Sequence, residues 1–335
     1  MLRITILRLI PNVRFGRWLT ALIIAVIGLA IFGLAGFLVD YDAERFGYYF
    51  EWPPALFFIS AVAYIVPVFH FITERSFAAL DDLAPHLDDS VSILQLRTSI
   101  EQRTRAWHLR CALFAVLLWL VQSYMLAGSF RLMWFYLTDG YVSFVMSVGS
   151  LFVWLAMVIA MRALADNARL FGRLSADLRV DVLNPASYRP IGQMAISSTL
   201  VVLGAQALLP IMWMDGTVSI WTTLPAVILF LPLLLYLTLV PTLPLRRELR
   251  TQKGAAIAAV QQAINALPRP QEGLNPSDVQ QATVLMDYRQ HLNALPEGPF
   301  DFPAIVRFSL YAIVVPLTWA GAAIIEIFVN MILGT

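Results

Sequence analysis

Side chains able to carry out acid–base or metal chemistry are few and scattered in this chain. No two of the four histidines are three or four residues apart, so the sequence offers no helical pair of metal ligands. They are His70, His86, His108 and His291. The stretch DDLAPHLDD (81–89) has paired acids of the kind that bind Mg²⁺ beside a diphosphate, but its spacing matches no such motif and favours a solvated loop. We therefore predict no metal ion and no cofactor.

A second acidic pattern, DNARLFGRLSADLRVD (166–181), resembles part of the CDP-alcohol phosphotransferase signature. The matching residues are Asp166, Ala168, Arg169, Gly172, Asp177 and Asp181. The leading acidic pair of that signature is missing, its Asp-Gly is Asp-Asn here, and the glycine spacing is off by one. A two-metal site needs those carboxylates. We interpret the match as spurious and predict no catalytic residues and no enzymatic activity.

Uncharged polar side chains within the apolar stretches are the stronger clue to function. Such groups face other helices or a water-filled path, and the sequence leaves both interpretations open. The candidates are Gln122 and Tyr124, Ser198 and Gln206, and, in the last apolar stretch, Ser309, Thr318 and Glu326. An ionisable group is costly in the bilayer. Glu326 lies 19 residues after Arg307, about 28 Å along a helix, which predicts a position near the far membrane boundary.

The composition predicts which elements must position these residues. Of the 335 residues, 59% are hydrophobic and only 13% are charged, about half the charged share of a soluble domain. Apolar runs of about 20 residues are typical of transmembrane helices, whereas a β-barrel would show short alternating segments. We predict an all-α, polytopic helix bundle that forms a single membrane domain over 1–335. Seven spans are predicted, at 18–39, 54–72, 107–128, 141–161, 191–213, 219–244 and 303–333.

The distribution of basic residues predicts the orientation of the bundle. All but Arg45 and Arg131 of the 23 Lys and Arg residues lie in, or at the edge of, alternate connections between the spans. Cytoplasmic loops retain Lys and Arg, so we expect the N-terminus inside and the C-terminus outside. The net charge of +1, with arginines spread along the chain, argues against nucleic acid as a partner. The preference for Arg over Lys favours a bacterial inner membrane.

The arginine-rich connections are long enough to form a helical layer. A helix is expected from Ser90, a candidate N-cap, towards the third span, with Ile93, Leu96, Ile100 and Trp107 at helical spacing. The fourth span is expected to continue inward through 162–180, with an apolar stripe at Leu164, Leu170, Leu174 and Leu178. The connection 245–302 has two amphipathic stretches around a Pro- and Gly-rich break, which predicts a cytoplasmic helical hairpin packed on the bundle. On the other side, 129–138 is predicted to form a short interfacial helix, although membrane embedding is an open alternative.

Two segments, LRVDVLNPASYRPIGQ (178–193) and PEGPFDFPAIVRFSLYAIVVPLTWAGAAIIE (296–326), resemble stretches of uncharacterised bacterial polytopic membrane proteins. The seven-span layout is similar to that of the insect odorant and gustatory receptor superfamily. That resemblance implies a tetrameric, ligand-gated cation channel in which inward helix extensions form an anchor and the last span lines the pore. The corresponding segments are 162–180, 246–267, 277–295 and 303–333.

Three functions are compatible with the sequence. The leading hypothesis is a homo-oligomeric ion channel or chemoreceptor-like pore in the lipid bilayer, gated by a small molecule or passing an ion. Its lining would come from the last span, with Ser309, Thr318 and Glu326. The first alternative is a solute transporter with its site among the polar residues of the third and fifth spans. The second is a non-catalytic accessory or structural subunit of a membrane complex, which needs no site.

Overall fold

A computed structural model provides the fold. It describes residues 2–4, 7, 15–46, 52–87, 92–131, 133–134, 141–178, 181, 183–184, 187–213, 220–267 and 276–295. Within these residues the chain forms eight α-helices and one short strand pair. The helices are α1 (Gly16–Phe46), α2 (Trp52–Leu83), α3 (Ile93–Glu101), α4 (Arg105–Ala127), α5 (Tyr141–Asp177), α6 (Arg189–Gln206), α7 (Ile220–Asn265) and α8 (Pro276–Ala294). The strands are β1 (Leu2–Arg3) and β2 (Gln102–Arg103), and 3₁₀ turns cover Ala84–His86 and Leu209–Trp213.

The described structure is helical apart from the strand pair, as predicted, and five of its helical segments are long and apolar enough to cross a bilayer. They are Gly16–Leu38, Trp52–His86, Arg105–Met125, Ser143–Asp177 and Arg189–Met212. Each overlaps one of the first five predicted spans. The sixth predicted span, 219–244, falls within α7, and the structure describes the side chains of α7 only from residue 232 onward. The seventh, 303–333, lies outside the described residues.

Helices α2 and α5 occupy the centre of the described bundle. Helix α2 packs against α1, α5 and α6, and α5 packs in addition against α4 and α7. Two glycines allow close approach at these interfaces. A Cβ on Gly172 of α5 would lie 2.8 Å from the carbonyl oxygen of Val240 in α7, and a Cβ on Gly204 of α6 would lie 2.0 Å from the Tyr64 hydroxyl of α2. The absence of a side chain at these positions sets the spacing of the helices.

Helix α5 continues beyond its predicted membrane span as one unbroken helix to Asp177. The four leucines predicted as apolar positions of this extension pack into the largest cluster of buried side chains, with Leu170 only partly buried. They are Leu164, Leu170, Leu174 and Leu178. Phe171 is fully buried in the same cluster, beside residues of α2, α6 and α7. The extension therefore has a packed core of its own.

The predicted helix from Ser90 into the third span is wrong in two respects. The N-cap is Ser92, whose hydroxyl accepts a hydrogen bond from the Gln95 backbone N–H at 3.4 Å, and α3 ends at Glu101. The chain is then extended at Gln102–Arg103, because β2 pairs antiparallel with β1. Helix α4 begins afresh behind Thr104, which caps the Trp107 N–H at 3.2 Å. The pairing of two strands about 100 residues apart in sequence therefore interrupts the predicted helix.

This strand pair also constrains the topology. Leu2 is opposite Arg103, and the Ile4 N–H donates to the Glu101 carbonyl at 2.9 Å. Hydrogen-bonded segments must lie on the same side of a membrane. An even number of crossings therefore separates residues 2–4 from residues 101–103, and α1 with α2 supplies two. The pairing agrees with the distribution of arginines but does not itself say which side is cytoplasmic.

The acidic stretch 81–89 is not the simple solvated loop that was expected. Its first residues complete α2, and Ala84–His86 forms a 3₁₀ turn. Asp81 accepts a hydrogen bond from the Arg97 guanidinium of α3 at 2.6 Å, and Arg97 also lies over the Phe77 ring at 5.4 Å. These contacts hold α3 against the end of α2. Asp81 has a packing role here.

Helices α7 and α8 are held together by a buried lysine. The Lys253 ammonium of α7 donates hydrogen bonds to the carbonyl oxygens of Asn293 and Leu295, at 2.9 and 2.8 Å. These carbonyls belong to the C-terminal end of α8, where a cation is favoured by the helix dipole. Leu292 is fully buried beside them, whereas Tyr288, one turn earlier on α8, is exposed. Part of the break between the helices, 268–275, lies outside the described residues.

The connection after α4 begins with a glycine cap. Gly128 has a φ of 71°, and its N–H bonds to the Tyr124 carbonyl at 2.8 Å. Of the predicted interfacial helix at 129–138, the described residues are helical at Phe130, Arg131, Met133 and Trp134. Phe130 and Trp134 are exposed. Such aromatic side chains are typical of a membrane–water interface.

Candidate functional site

The antiparallel interface between α4 and α5 holds the two main polar groupings of the described bundle. Each is centred on one acceptor side chain and includes a tryptophan from the opposite helix. We call them the Asp166 cluster and the Gln122 cluster. The Asp166 cluster comprises Arg103, Trp107, Arg162, Asp166 and Arg169, and the Gln122 cluster comprises Gln122, Ser150 and Trp154. Ser150 and Asp166 are 16 residues apart on α5, or about 24 Å along the helix.

The Asp166 cluster surrounds one carboxylate with three guanidinium groups. The Trp107 indole N–H donates to Asp166 Oδ2 at 2.9 Å. The nearest guanidinium nitrogens lie further away, at 3.7 Å for Arg103, 3.5 Å for Arg162 and 4.0 Å for Arg169. Attraction at these distances is electrostatic, because N–H···O hydrogen bonds need about 3 Å. The guanidinium N–H groups are therefore not hydrogen-bonded to Asp166.

The local sequence positions each member of this cluster. Arg162, Asp166 and Arg169 are four and three residues apart on α5, which places them on one face of the helix. Arg103 is held by β2, with its NH1 donating to the Gln102 carbonyl at 3.3 Å, and it lies over the Trp107 ring at 5.9 Å. The Arg169 Nε donates to the Tyr236 hydroxyl of α7. Residues of β2 and α4 thus meet those of α5 at Asp166, and α7 contacts the cluster through Arg169.

Burial divides the arginines into two kinds. The side chain of Arg103 is 13% exposed, whereas those of Arg162 and Arg169 are 49% and 50% exposed. Burial lowers the pKa of Arg103 below its ordinary value; the nearby Asp166 opposes this shift and Arg162 adds to it. An arginine nevertheless remains protonated in proteins. Three positive charges therefore face one carboxylate, and the cluster carries a surplus of two positive charges.

The Gln122 cluster contains no charge. Gln122 Oε1 accepts hydrogen bonds from the Ser150 hydroxyl at 3.3 Å and from the Trp154 indole N–H. One turn earlier on α4, the Trp119 indole N–H donates to the Ser147 carbonyl at 3.0 Å. These bonds link α4 to α5 within the predicted membrane layer. The Gln122 carbonyl oxygen, the Ser150 hydroxyl and both indole N–H groups are engaged in these contacts between the helices.

No protein-family model, curated protein or solved structure matches this chain. The assignment of function therefore depends on the geometry alone. No residue role is carried over from a relative. The remaining predicted site residues must be judged by where the structure places them.

The polar candidates of the third and fifth predicted spans lie at different helix interfaces. Gln122 is between α4 and α5, whereas Ser198 and Gln206 are buried on α6, which packs on α2 and α7. Beside Ser198, the Thr199 hydroxyl bonds to the Thr238 hydroxyl of α7 at 3.0 Å. Tyr124 is exposed near the end of α4, with its ring 4.7 Å from that of Phe130. The described structure does not gather these side chains around one path.

The candidates of the last span, Ser309, Thr318 and Glu326, lie outside the described residues. Among the residues that are described, no three His, Cys, Asp or Glu side chains come together as a metal site would require. In the 166–181 pattern, Asp166 lies among arginines and not beside a second acid. His70 lies 3.5 Å from Glu74, which also pairs with Arg17 of α1 at 3.1 Å.

A small cavity lies between α2, α5 and α6. Its volume is about 40 Å³, and apart from the Tyr64 ring its lining is aliphatic, Phe or Met, including Phe69, Met157 and Met161. The Tyr64 hydroxyl is engaged with the Val201 carbonyl at 3.1 Å. A cavity with no free polar partners does not hold water stably. It offers no site for an ion or a polar solute.

The Asp166 cluster is the site that the sequence analysis missed. In the sequence, its arginines indicate the orientation of the bundle, and Trp107 continues the helical spacing of the apolar residues before the third span. A signal was present in the spacing, because Arg162, Asp166 and Arg169 form an i, i+4, i+7 series with mixed charge. What the spacing could not supply was Arg103, which reaches the series from a separate strand.

Proposed function

We propose that the protein is an integral membrane channel that works as an oligomer, with its permeation path between subunits. The observation that carries this proposal is that hydrogen bonds between helices engage Gln122 and Thr199, two polar side chains that a path through one subunit would use. Gln122 is bound to Ser150 and Trp154, and Thr199 is bound to Thr238. The one cavity described above is apolar. A path at a symmetry axis needs none of these groups.

Two further features support an oligomer. Helices α1 and α4 carry long rows of exposed aliphatic side chains, and only 17% and 11% of their most apolar windows are buried within the chain. Such faces suit lipid or a second subunit. In the proposed channel the last span faces the axis, with Ser309, Thr318 and Glu326 lining it. Pores need only dipoles and a hydrophobic gate for conduction.

A non-conducting accessory subunit is the second candidate. The same closed polar interior and the same apolar faces on α4, such as Leu109 and Leu113, suit a subunit that only packs against partners. A solute transporter is less well supported, because its candidate residues are divided between two interfaces. It would also need a polar site that opens to both sides in turn.

The test combines oligomeric state with conductance. We expect the purified protein to be oligomeric by light scattering in detergent and to give unitary currents in planar bilayers. Glu326→Gln is expected to weaken the preference for cations, because it removes a negative charge from the mouth of the path. Gln122→Leu serves as the control, and its currents are expected to match those of the wild type.

Each outcome discriminates between the candidates. A monomer that gives no current would refute the channel. A stable hetero-complex from native membranes, again without current, would establish the accessory role. Currents that disappear in a folded Gln122→Leu variant would instead place the path inside one subunit, between α4 and α5.

A further inference from the structure

The Asp166 cluster has more positive charge than its carboxylate can neutralise. Two of its guanidinium groups, those of Arg162 and Arg169, are half exposed, and neither lies within hydrogen-bond distance of Asp166. The Nε of Arg169 is directed to Tyr236, which leaves its terminal nitrogens for other acceptors. Two adjacent cations with unused donors are suited to an oxyanion, since charge-assisted hydrogen bonds to phosphate are strong and can be bidentate.

The position of these arginines along α5 indicates which oxyanion. Residues 148, 155, 162 and 169 are seven apart, so they form one stripe that drifts by only about 20° per step on a helix. The stripe is apolar at Val148 and Leu155, which are partly buried, and basic at Arg162 and Arg169, which are exposed. Leu155 and Arg162 are about 10 Å apart along the axis. The acyl chain of an amphiphile lying along α5 would contact Val148 and Leu155, and its headgroup would contact Arg162 and Arg169.

The cluster also lies at the end of a candidate membrane span, where lipid headgroups are expected. Arg103 is two residues before the candidate span Arg105–Met125, and Trp107 is in its first turn. Tryptophan favours the headgroup level of a bilayer. Basic pockets between transmembrane helices are a recognised setting for anionic headgroups. Charge, stripe and depth therefore favour the same ligand.

We propose that the Asp166 cluster binds the phosphate of an anionic phospholipid, with Arg162 and Arg169 as its direct ligands and an acyl chain along the Leu155 stripe. Asp166 Oδ1 lies within 4.0 Å of both guanidiniums and holds them close to each other, although their helix positions are seven residues apart. Arg103, which is mostly buried, positions Asp166 and adds to the field. A zwitterionic lipid is disfavoured, because its own ammonium group would meet the surplus positive charge. The proposal does not depend on whether the protein conducts.

The experiment uses the full-length protein in detergent micelles with added phosphatidylglycerol or phosphatidylcholine, and measures bound lipid by native mass spectrometry. We expect preferential retention of phosphatidylglycerol. Each of Arg162→Gln and Arg169→Gln is expected to weaken its binding about fivefold, and the double variant about 25-fold, from the energy of one arginine near an anionic surface. Arg162→Lys, which keeps the charge, is expected to retain more binding than Arg162→Gln.

The matched control is Arg75→Gln. Arg75 is exposed, lies near the same end of the bundle on α2, and stacks on Phe71 at 5.3 Å without joining the cluster. Equal retention of the two lipids by the wild type would overturn the proposal, as would an equal loss in Arg75→Gln. A thermal melt of each variant identifies unfolding, and folded double variants that still bind normally would also refute it. Competition with inorganic phosphate gives the last arm: if millimolar phosphate displaces the lipid fully, the site binds soluble anions and the lipid assignment is wrong.

Discussion

At each end of the α4–α5 interface a tryptophan N–H donates to an acceptor on the opposite helix, but the two acceptors differ in charge. At one end, the Trp154 indole of α5 donates to a neutral amide, Gln122, on α4. At the other, the Trp107 indole of α4 donates to a carboxylate, Asp166, on α5. The neutral end is joined by hydrogen bonds between uncharged groups. The charged end gathers three arginines and is left with excess charge.

The difference follows from the surroundings of each end. An unpaired charge costs several kcal/mol within hydrocarbon, so a neutral amide is the suitable acceptor in the predicted membrane layer. Near the boundary, half-exposed guanidiniums keep much of their hydration and the cost of a surplus falls. The same pair of helices can therefore be joined by neutral hydrogen bonds at the Gln122 cluster and keep exposed charges for a ligand at the Asp166 cluster.

The largest difference is expected on removing the central acceptor of each cluster. Asp166→Leu leaves the mostly buried Arg103 without its counter-charge and should lower the free energy of unfolding by about 2–4 kcal/mol, somewhat less than for a fully buried pair. Gln122→Leu leaves two neutral donors unpaired and should cost about 1–2 kcal/mol. Chemical unfolding of both variants in the same detergent measures the comparison. A greater loss for Gln122→Leu would contradict it.

Replacing glycines of α5 by alanine should also lower stability by different amounts at the two ends of the interface. At Gly172, an added Cβ meets the backbone carbonyl of Val240 at 2.8 Å, whereas at Gly149 it meets ring atoms of Phe32 and Phe58 at 2.7 and 3.1 Å. Backbone cannot move aside as a side chain can. We expect Gly172→Ala to cost about 1–3 kcal/mol and Gly149→Ala less than about 1 kcal/mol. Gly254→Ala, where nothing lies within 4 Å, is the control and should be neutral or stabilising.

A smaller effect is expected when each indole N–H is deleted. Trp107→Phe removes a hydrogen bond to a carboxylate and Trp154→Phe removes one to an amide, while both lose a similar ring volume. The difference between the two losses of unfolding free energy isolates the acceptor, and we expect Trp107→Phe to be worse by about 1 kcal/mol. Equal losses would mean that the charge on Asp166 adds nothing to this bond.

The smallest expected effect is that of salt. Raising the salt concentration from 0.1 to 1 M shortens the screening length from about 10 to 3 Å. The cost of Arg162→Gln should then change by less than about 1 kcal/mol, because this arginine is half exposed. The cost of Gln122→Leu should not change. Thermal melts of both variants at the two salt concentrations provide the measurement, and a salt-dependent Gln122→Leu would show that its cluster is not electrically isolated.

The sequence predicted those features that depend on local pattern. Continuous apolar runs indicated the first five spans, and the leucine spacing of 162–180 indicated an inward helix whose apolar face is now seen to be buried. Two local predictions failed. Ser90 was the candidate cap, but Ser92 accepts the Gln95 N–H. The helix from this region ends at Glu101 because Gln102 and Arg103 pair with Leu2 and Arg3, which no nearby residue signals.

The Asp166 cluster was beyond sequence reasoning for the same reason. Trp107 and Asp166 are 59 residues apart, and only the antiparallel packing of α4 on α5 brings them to 2.9 Å. The Gln122 cluster was half predicted: its amide was identified as a polar group in a span, but the choice between helix contact and water path required its partners. Hydrogen bonds to Ser150 and Trp154 favour the helix contact.

The pairing of β1 with β2 sets an order of events during synthesis. Leu2 emerges from the ribosome early, but its partner Arg103 is made about 100 residues later, a delay of about 5–20 s at ordinary translation rates. During that interval any association of α1 with α2 depends on helix contacts alone, such as Gly28 against Ile59. Asp166 is made later still. Neither the strand pair nor the Asp166 cluster can therefore form until well after α1 and α2 have been synthesised.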